Sequence, residues 1–315
     1  MSFQVTEWFI KEFSNTVYHT AQQSKARLAQ HARQESQSSK MKGYDVIGTA
    51  DPVKMTNRHG DTPQIDTPHT RRNVILEDYN WADLIDNMDK IRTLNDPTNP
   101  YIIAAKKGFN RKKDNVFYEN AIGEARAGEE GNTLVALPDA QKIAAVSAGA
   151  LSSLNIDTLR LISEKFTVAE VLDDEEGGMD SVIYMTLDAK SKTALLTNTE
   201  ITSSDYNTVK ALVNGTIDTF MGIKFIPYQR AEIEADVVKY NLVTGEIDAA
   251  GTSAAGSLKL LAWVASGMIS ATGQDIKTRL SERADKNYSM QAYIDMSTGA
   301  VRMEEVKVLQ VTVTN

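Results

Sequence analysis

At 315 residues the chain exceeds the roughly 250–300 at which single cores stop growing, so one large or two modest domains are expected. Its 42% apolar and 24% charged residues exclude global disorder, and the absence of cysteine excludes disulfides, thiolate metal sites and a thiol nucleophile. A formal net charge of -8 argues against a sequence-reading DNA-binding domain, and neither a signal-peptide pattern nor a membrane-length run of about 20 apolar residues occurs.

Taken along the chain, residues 6–33 read as a helix. Thr6 is a candidate N-cap, and Ile10, Phe13, Val17, Ala21, Ser24 and Leu28 recur at spacings of three and four. Residues 34–43 (QESQSSKMKG) are polar and read as a flexible tether. Two readings stay open: a helix packed on its own domain, or an arm packed on a neighbouring subunit through Phe13 and Val17. Residues 44–80 alternate apolar and polar positions on both sides of a tip rich in Pro, Thr, Asp and His. They read as a long hairpin, and two strands alone are marginal in water, so it needs a surface to lie on. Arg71 and Arg72 at its base suit bidentate carboxylate partners on that surface.

Residues 81–94 place Trp81, Leu84, Ile85, Met88 and Ile91 at helical spacing, ended by Asn95-Asp96-Pro97. Residues 98–126 are the longest helical candidate, with Ile102, Ala105, Phe109 and Val116 on one face and Gly128 and Gly131 beyond its end. A further helix is predicted over 155–172, with Ile156, Leu159, Ile162, Phe166 and Ala169 on one side. Then come a strand at 182–187, helices at 188–196 and 204–213, and a strand at 220–226. This order implies a mixed α/β unit. Residues 258–269 are apolar and fit strand or helix. Residues 288–296 and 301–313 read as two strands joined at Ser297-Thr298-Gly299, with bulges near Glu304-Glu305 and Val308-Leu309.

Motifs for phosphate, dinucleotide or acyl chemistry are absent, and no metal-ligand spacing is convincing, so no catalytic, cofactor or metal residue is assigned. The acidic run Asp173 to Glu176 lacks the alternating ligands of a calcium loop and reads as a solvated turn. The basic stretch holding Lys106, Lys107, Arg111, Lys112 and Lys113 flanks the apolar stripe of its helix instead of forming one line. It fits a solvated face or subunit salt bridges. The functional alternative is weak contact of Lys106, Lys107 and Lys113 with packaged nucleic acid in a lumen.

The stretch from Asp66 to Gly123, the closing segment from Gly273 to Val308 and the NG…GIKFI segment over 214–226 together resemble the major capsid proteins of tailed bacteriophages. The resemblance implies an α+β chain with the Hong Kong 97-type capsid fold. It would comprise an N-terminal arm (1–43), an extended loop (44–80) and a peripheral domain (81–150) whose spine helix is 98–126. An axial domain (151–282) and return strands of the peripheral domain (283–315) would complete it. The implied function is a self-assembling, non-enzymatic icosahedral head shell around double-stranded DNA. The implied partners are further copies in hexamers and pentamers, a portal protein, separate scaffolding and decoration proteins, and DNA bound without sequence preference. No cofactor and no membrane are implied, and the place of action is the virion after assembly in the host cytoplasm. Two alternatives remain at this stage: an encapsulin-type nanocompartment shell of the same fold, and a soluble oligomeric enzyme.

Overall fold

The computed structural model describes residues 22–55, 57–58, 60–62, 64–85, 98–147, 150–173, 182–197, 219–229, 239–240, 252–253 and 257–314. The first strands are β1 (Arg33–Ser36), β2 (Met41–Ile47), β3 (His69–Ile75) and β4 (Glu77–Ile85). Helix α1 (Thr98–Ile122) follows, then the short strands β5 (Ala125–Ala127), β6 (Thr133–Val135), β7 (Lys142–Ala144), β8 (Val146–Ser147) and β9 (Ala150–Leu151). Next come α2 (Ile156–Val168), β10 (Ile183–Leu187), α3 (Ala189–Thr197), β11 (Thr219–Phe220) and β12 (Ile223–Pro227). The short pair β13 (Lys239–Tyr240) and β14 (Thr252–Ser253) precedes β15 (Leu258–Val264), β16 (Met268–Arg283), β17 (Ser289–Arg302) and β18 (Val308–Val313).

The chain divides into two compact units. One comprises residues 1–26, 78–112 and 274–297, and the other 27–77, 113–273 and 298–315. Dividing points fall inside β4, α1, β16 and β17, and one more lies between residues 26 and 27.

The larger unit is built on a six-stranded sheet of order β11-β12-β10-β15-β18-β7. β10 runs parallel to β12 and antiparallel to β15, while β18 is antiparallel to β15 and parallel to β7. Its strands are apolar on both faces, which is why their sequences read as continuous hydrophobic runs. Leu258, Leu260, Ala262 and Val264 point to one side, where Leu159, Ile162 and Phe166 of α2 cover them. Leu261 and Trp263 point to the other, where Phe117, Tyr118 and Ala121 of α1 join Leu28 and Ala32. Trp263 is fully buried, and its Nε1 donates to His31 O at 3.0 Å. Burying a side chain of this size contributes about 2–3 kcal/mol once its N–H is satisfied.

Helix α2 follows its sequence closely. Asn155 is the N-cap, accepting from Thr158 N at 2.8 Å, and Ile156, Leu159, Ile162 and Phe166 are buried as their spacing predicts. Ala169 is exposed and closes the helix. The predicted strand 182–187 and helix 188–196 appear as β10 and α3. The ambiguous stretch 258–269 is strand: it holds β15 and the start of β16. The expected helix at 204–213 lies outside the described residues.

Four expectations are corrected. Residues 22–33 do not continue a helix: 22–28 carry no regular structure, Ala29–His31 form a 3-10 turn, and β1 begins at Arg33. Residues 6–21 lie outside the described residues. The polar segment 34–43 is not a free tether, because β1 pairs in parallel with Ile269–Thr272 and β2 starts at Met41. Trp81–Ile85 belong to strand β4, with Tyr79 and Trp81, two residues apart, both packed on the cluster around Phe109; residues 86–94 lie outside the described set. The turn expected at Ser297-Thr298-Gly299 is uninterrupted strand. Gly299 serves close approach there: a Cβ on it would stand 2.4 Å from Ile75 O. The chain breaks instead at Glu305–Lys307, a 3-10 turn beside the bulge expected near Glu304-Glu305.

In the smaller unit, Phe109, Ile294 and Met296 form the buried cluster, with Tyr79, Trp81, Ile102, Ala105 and Ile276 around it. The outer parts of β16 and β17 meet through a 3-10 turn at Ala284–Lys286, followed by Asn287 and Tyr288 at positive φ. Arg283 closes this turn on Asp285 with two hydrogen bonds of 2.7 Å, which hold the exposed Asp285 carboxyl down at about 2.

Candidate assembly surfaces

A hairpin is present where 44–80 predicts one, but its strands span 41–75, and residues 77–80 belong to β4 in another sheet. β2 and β3 pair antiparallel from Met41↔Ile75 to Ile47↔His69, and Gly48 N donates to Pro68 O at 2.8 Å beyond the last strand pair. β3 also contacts β5, so the base sits in a four-stranded sheet of order β2-β3-β5-β6. Beyond Ile47 the described residues leave this support. Ile47 is 67% exposed, Val53 60% and Met55 78%, with Ile65 also exposed. Apolar side chains in such a row on one loop are what a second surface covers.

The two arginines at the hairpin base have different fates. Arg71 stays on the surface and grips Asp45 across the strand pair, Nε to Oδ1 at 2.5 Å and Nη2 to Oδ2 at 3.2 Å. That bidentate contact lowers the Asp45 pKa, the Arg71 hydrogen bond being the main cause. Arg72 is buried. Its Nη2 meets Glu305 Oε1 at 2.5 Å and its Nε donates to Met303 O at 3.2 Å. Its carboxylate partner is therefore in its own chain, where it ties the hairpin base to the turn before β18. Phe13 and Val17 lie outside the described residues.

The basic stretch spreads around α1 as its spacing predicts. Lys106 is exposed and Lys107 half-buried. Arg111 bonds Gln22 Oε1, and Lys112 stands over the Tyr79 ring at 5.0 Å. Lys113 Nζ lies 3.4 Å from Thr272 Oγ1. In the smaller unit an open groove of about 570 Å³ runs beside α1, lined by Tyr79, Trp81, Tyr101, Ala105, Phe109 and Lys112.

Two buried charges escaped sequence reading. Arg302 is fully buried; its Nη1 donates to Ala121 O and Gly123 O at 2.7 and 2.8 Å, and its Nη2 to Val135 O at 2.9 Å. It thereby caps the carbonyl end of α1. Burial lowers its pKa, while Glu305, 3.7 Å from Nε, works the other way. Asp114, also fully buried, receives backbone amides from Arg27 and Leu28. Each left a trace in the sequence: a cation directly after the apolar Gly299-Ala300-Val301 at the end of β17, and an acid directly after a basic run.

No cluster of three potential metal ligands occurs among the described residues, and no helix among them is long and apolar enough to cross a membrane. The features that stand out are strand pairings, buried ties and an exposed apolar loop, the marks of a protein that works by building contacts.

Comparison with solved structures defines the class. The chain superposes on the capsid of the cyanophage P-SCSP1u with a TM-score of 0.69 at 14% identity, covering 99% of this chain and 94% of that one. An empty gene transfer agent particle's capsid gives 0.69 at 12%, covering 100% and 98%. Mycobacterium phage Che8 gives 0.64 at 13%, covering 96% and 97%. At these identities the likeness establishes the fold, which is the Hong Kong 97-type capsid fold. No curated protein sequence matches the chain. The profile of a family described as phage capsid protein matches residues 5–315, and the chain belongs to that family. It is a major capsid protein of a phage head shell, located in the virion capsid, and the nanocompartment alternative is not favoured.

Proposed function

We propose that the chain closes an icosahedral shell as hexamers and pentamers around double-stranded DNA and has no turnover of its own. Residues 1–43 would act as the arm, 44–80 as the extended loop, 81–150 as the peripheral domain, 151–282 as the axial domain and 283–315 as the returning strands of the peripheral domain. The observation that carries this reading is the hairpin, whose exposed Ile47, Val53, Met55 and Ile65 have no cover among the described residues of their own chain. A neighbouring subunit supplies that cover, and many such repeated contacts sum to a stable container. Arg71, exposed beside the loop, and the apolar Phe13 and Val17 of the arm complete the subunit contact set. Lys106, Lys107 and Lys113 face the lumen and meet DNA through its phosphates. A portal protein, separate scaffolding and decoration proteins and assembly in the host cytoplasm belong to the same reading.

The test is to purify the full chain, with scaffold supplied, and follow it by light scattering and negative-stain electron microscopy. Closed particles or capsomers are expected. A small monomer that persists at high concentration overturns the proposal.

A further inference from the structure

The apolar spacing that runs from Ile10 to Leu28 would carry a helix through residues 24–28, yet the chain there is not helical. What it does instead is specific. Arg27 N lies 2.9 Å from both carboxylate oxygens of Asp114, and Leu28 N lies 2.9 Å from Oδ1. A helix would have given these two amides to carbonyls four residues back. Just downstream, Leu28 and Ala32 are buried, and the His31 carbonyl is held by Trp263. Asp114 is fully buried, and a carboxylate is costly to desolvate unless donors such as these compensate it.

Both donors are backbone amides, so the contact fixes the path of the chain itself at residues 27 and 28. Upstream, Asn110, one helical turn before Asp114, donates from Nδ2 to Ser24 O at 2.8 Å.

We infer that Asp114 is a positioning residue for assembly: by claiming the amides of Arg27 and Leu28 it fixes the course of the chain at residues 27 and 28, the anchor from which the proposed arm acts. This rests on reading the chain as a shell subunit, because an arm can reach a neighbour's site only from a fixed point of departure.

The test uses full-length Asp114→Asn and Asp114→Ala, with amide hydrogen exchange on the unassembled subunit and particle counts by electron microscopy. Exchange at the amides of residues 27 and 28 should speed up at least about tenfold while β15 and β18 keep their protection. Closed particles should fall by about tenfold. Faster local exchange with normal particle yield overturns the inference, and so does unchanged exchange at 27 and 28. Should both variants lose protection throughout, Asp114 is a fold element, and Asn110→Ala decides: a smaller loss of particles with β15 and β18 intact retains a positioning role for this stretch of α1, and normal yield ends it. If the wild type itself makes no particles, the shell reading fails, while the exchange result still judges the clamp on its own.

Discussion

Arg302 illustrates how a single side chain can hold several elements together. Three carbonyls, two at the end of α1 and one in β6, share its guanidinium, with Glu305 close by and also bound to Arg72. Replacing it with Met leaves those carbonyls buried without a donor and Glu305 with a single arginine. Arg302→Met should cost about 3–5 kcal/mol in denaturant unfolding of the unassembled subunit. Arg302→Lys should recover only part of that, since an ammonium lacks the planar fork. His31 gives a pH signature. Its ring stacks on Tyr184 with centroids 4.6 Å apart, and burial first, then the Lys224 ammonium, hold its pKa below the ordinary 6.5. The unfolded chain therefore takes up a proton before the folded one does. Stability falls as pH drops through about 6.5 and levels off below the lowered folded value. Melting curves between about pH 7 and about pH 5 should show this decline, and His31→Gln should remove its share.

At the scale of elements, the hairpin separates what the chain supports from what it leaves uncovered. Its base is tied by seven strand pairs, by β5 and by Arg72. The described residues of its loop beyond Gly48 contribute nothing to the clusters of buried residues. Replacing residues 49–67 with Asn-Gly joins the Gly48–Pro68 pair by a two-residue turn suited to antiparallel strands. The shortened subunit should melt within a few degrees of the wild type, since surface changes away from packed groups cost at most about 0.5 kcal/mol. It should make no closed shells, or fragile ones. Unfolding would show that the loop belongs to the core, and normal, durable shells would show it to be dispensable.

For the whole molecule, the basic stretch of α1 bears on what the shell holds. Among the described residues Lys106 and Lys107 form no ion pair, and Lys113 Nζ lies 3.4 Å from the Thr272 hydroxyl, at the edge of hydrogen-bonding distance. Changing all three to Gln should leave empty-shell assembly intact and lower DNA retention, most at low salt and less as salt rises, because the phosphate contacts removed are those that counterion competition weakens. Failure of empty shells would mean instead that these lysines sit in subunit seams.

The sequence by itself determined the parts whose periodicity has one solution. The runs at 183–187, 223–227 and 308–313 became strands of the sheet buried on both faces, whereas 258–264, which fits strand or helix by spacing, became its strand β15 only through pairing with β10 and β18. Asn155 and the stripe behind it became α2, and the alternating segments on either side of the tip became the hairpin. Of the candidate contact residues, the sequence singled out Arg71 and Arg72 but not their separate environments, since Glu305 lies 233 residues from Arg72. Only the tertiary structure decided the course of residues 22–37, the strand state of Trp81, and the positions of Asp114 and Arg302. Spacing records which face of a segment is apolar but not what will cover it. Nor does it show that the amides of Arg27 and Leu28 will be claimed by a carboxylate 87 and 86 residues away, ahead of any helical carbonyl.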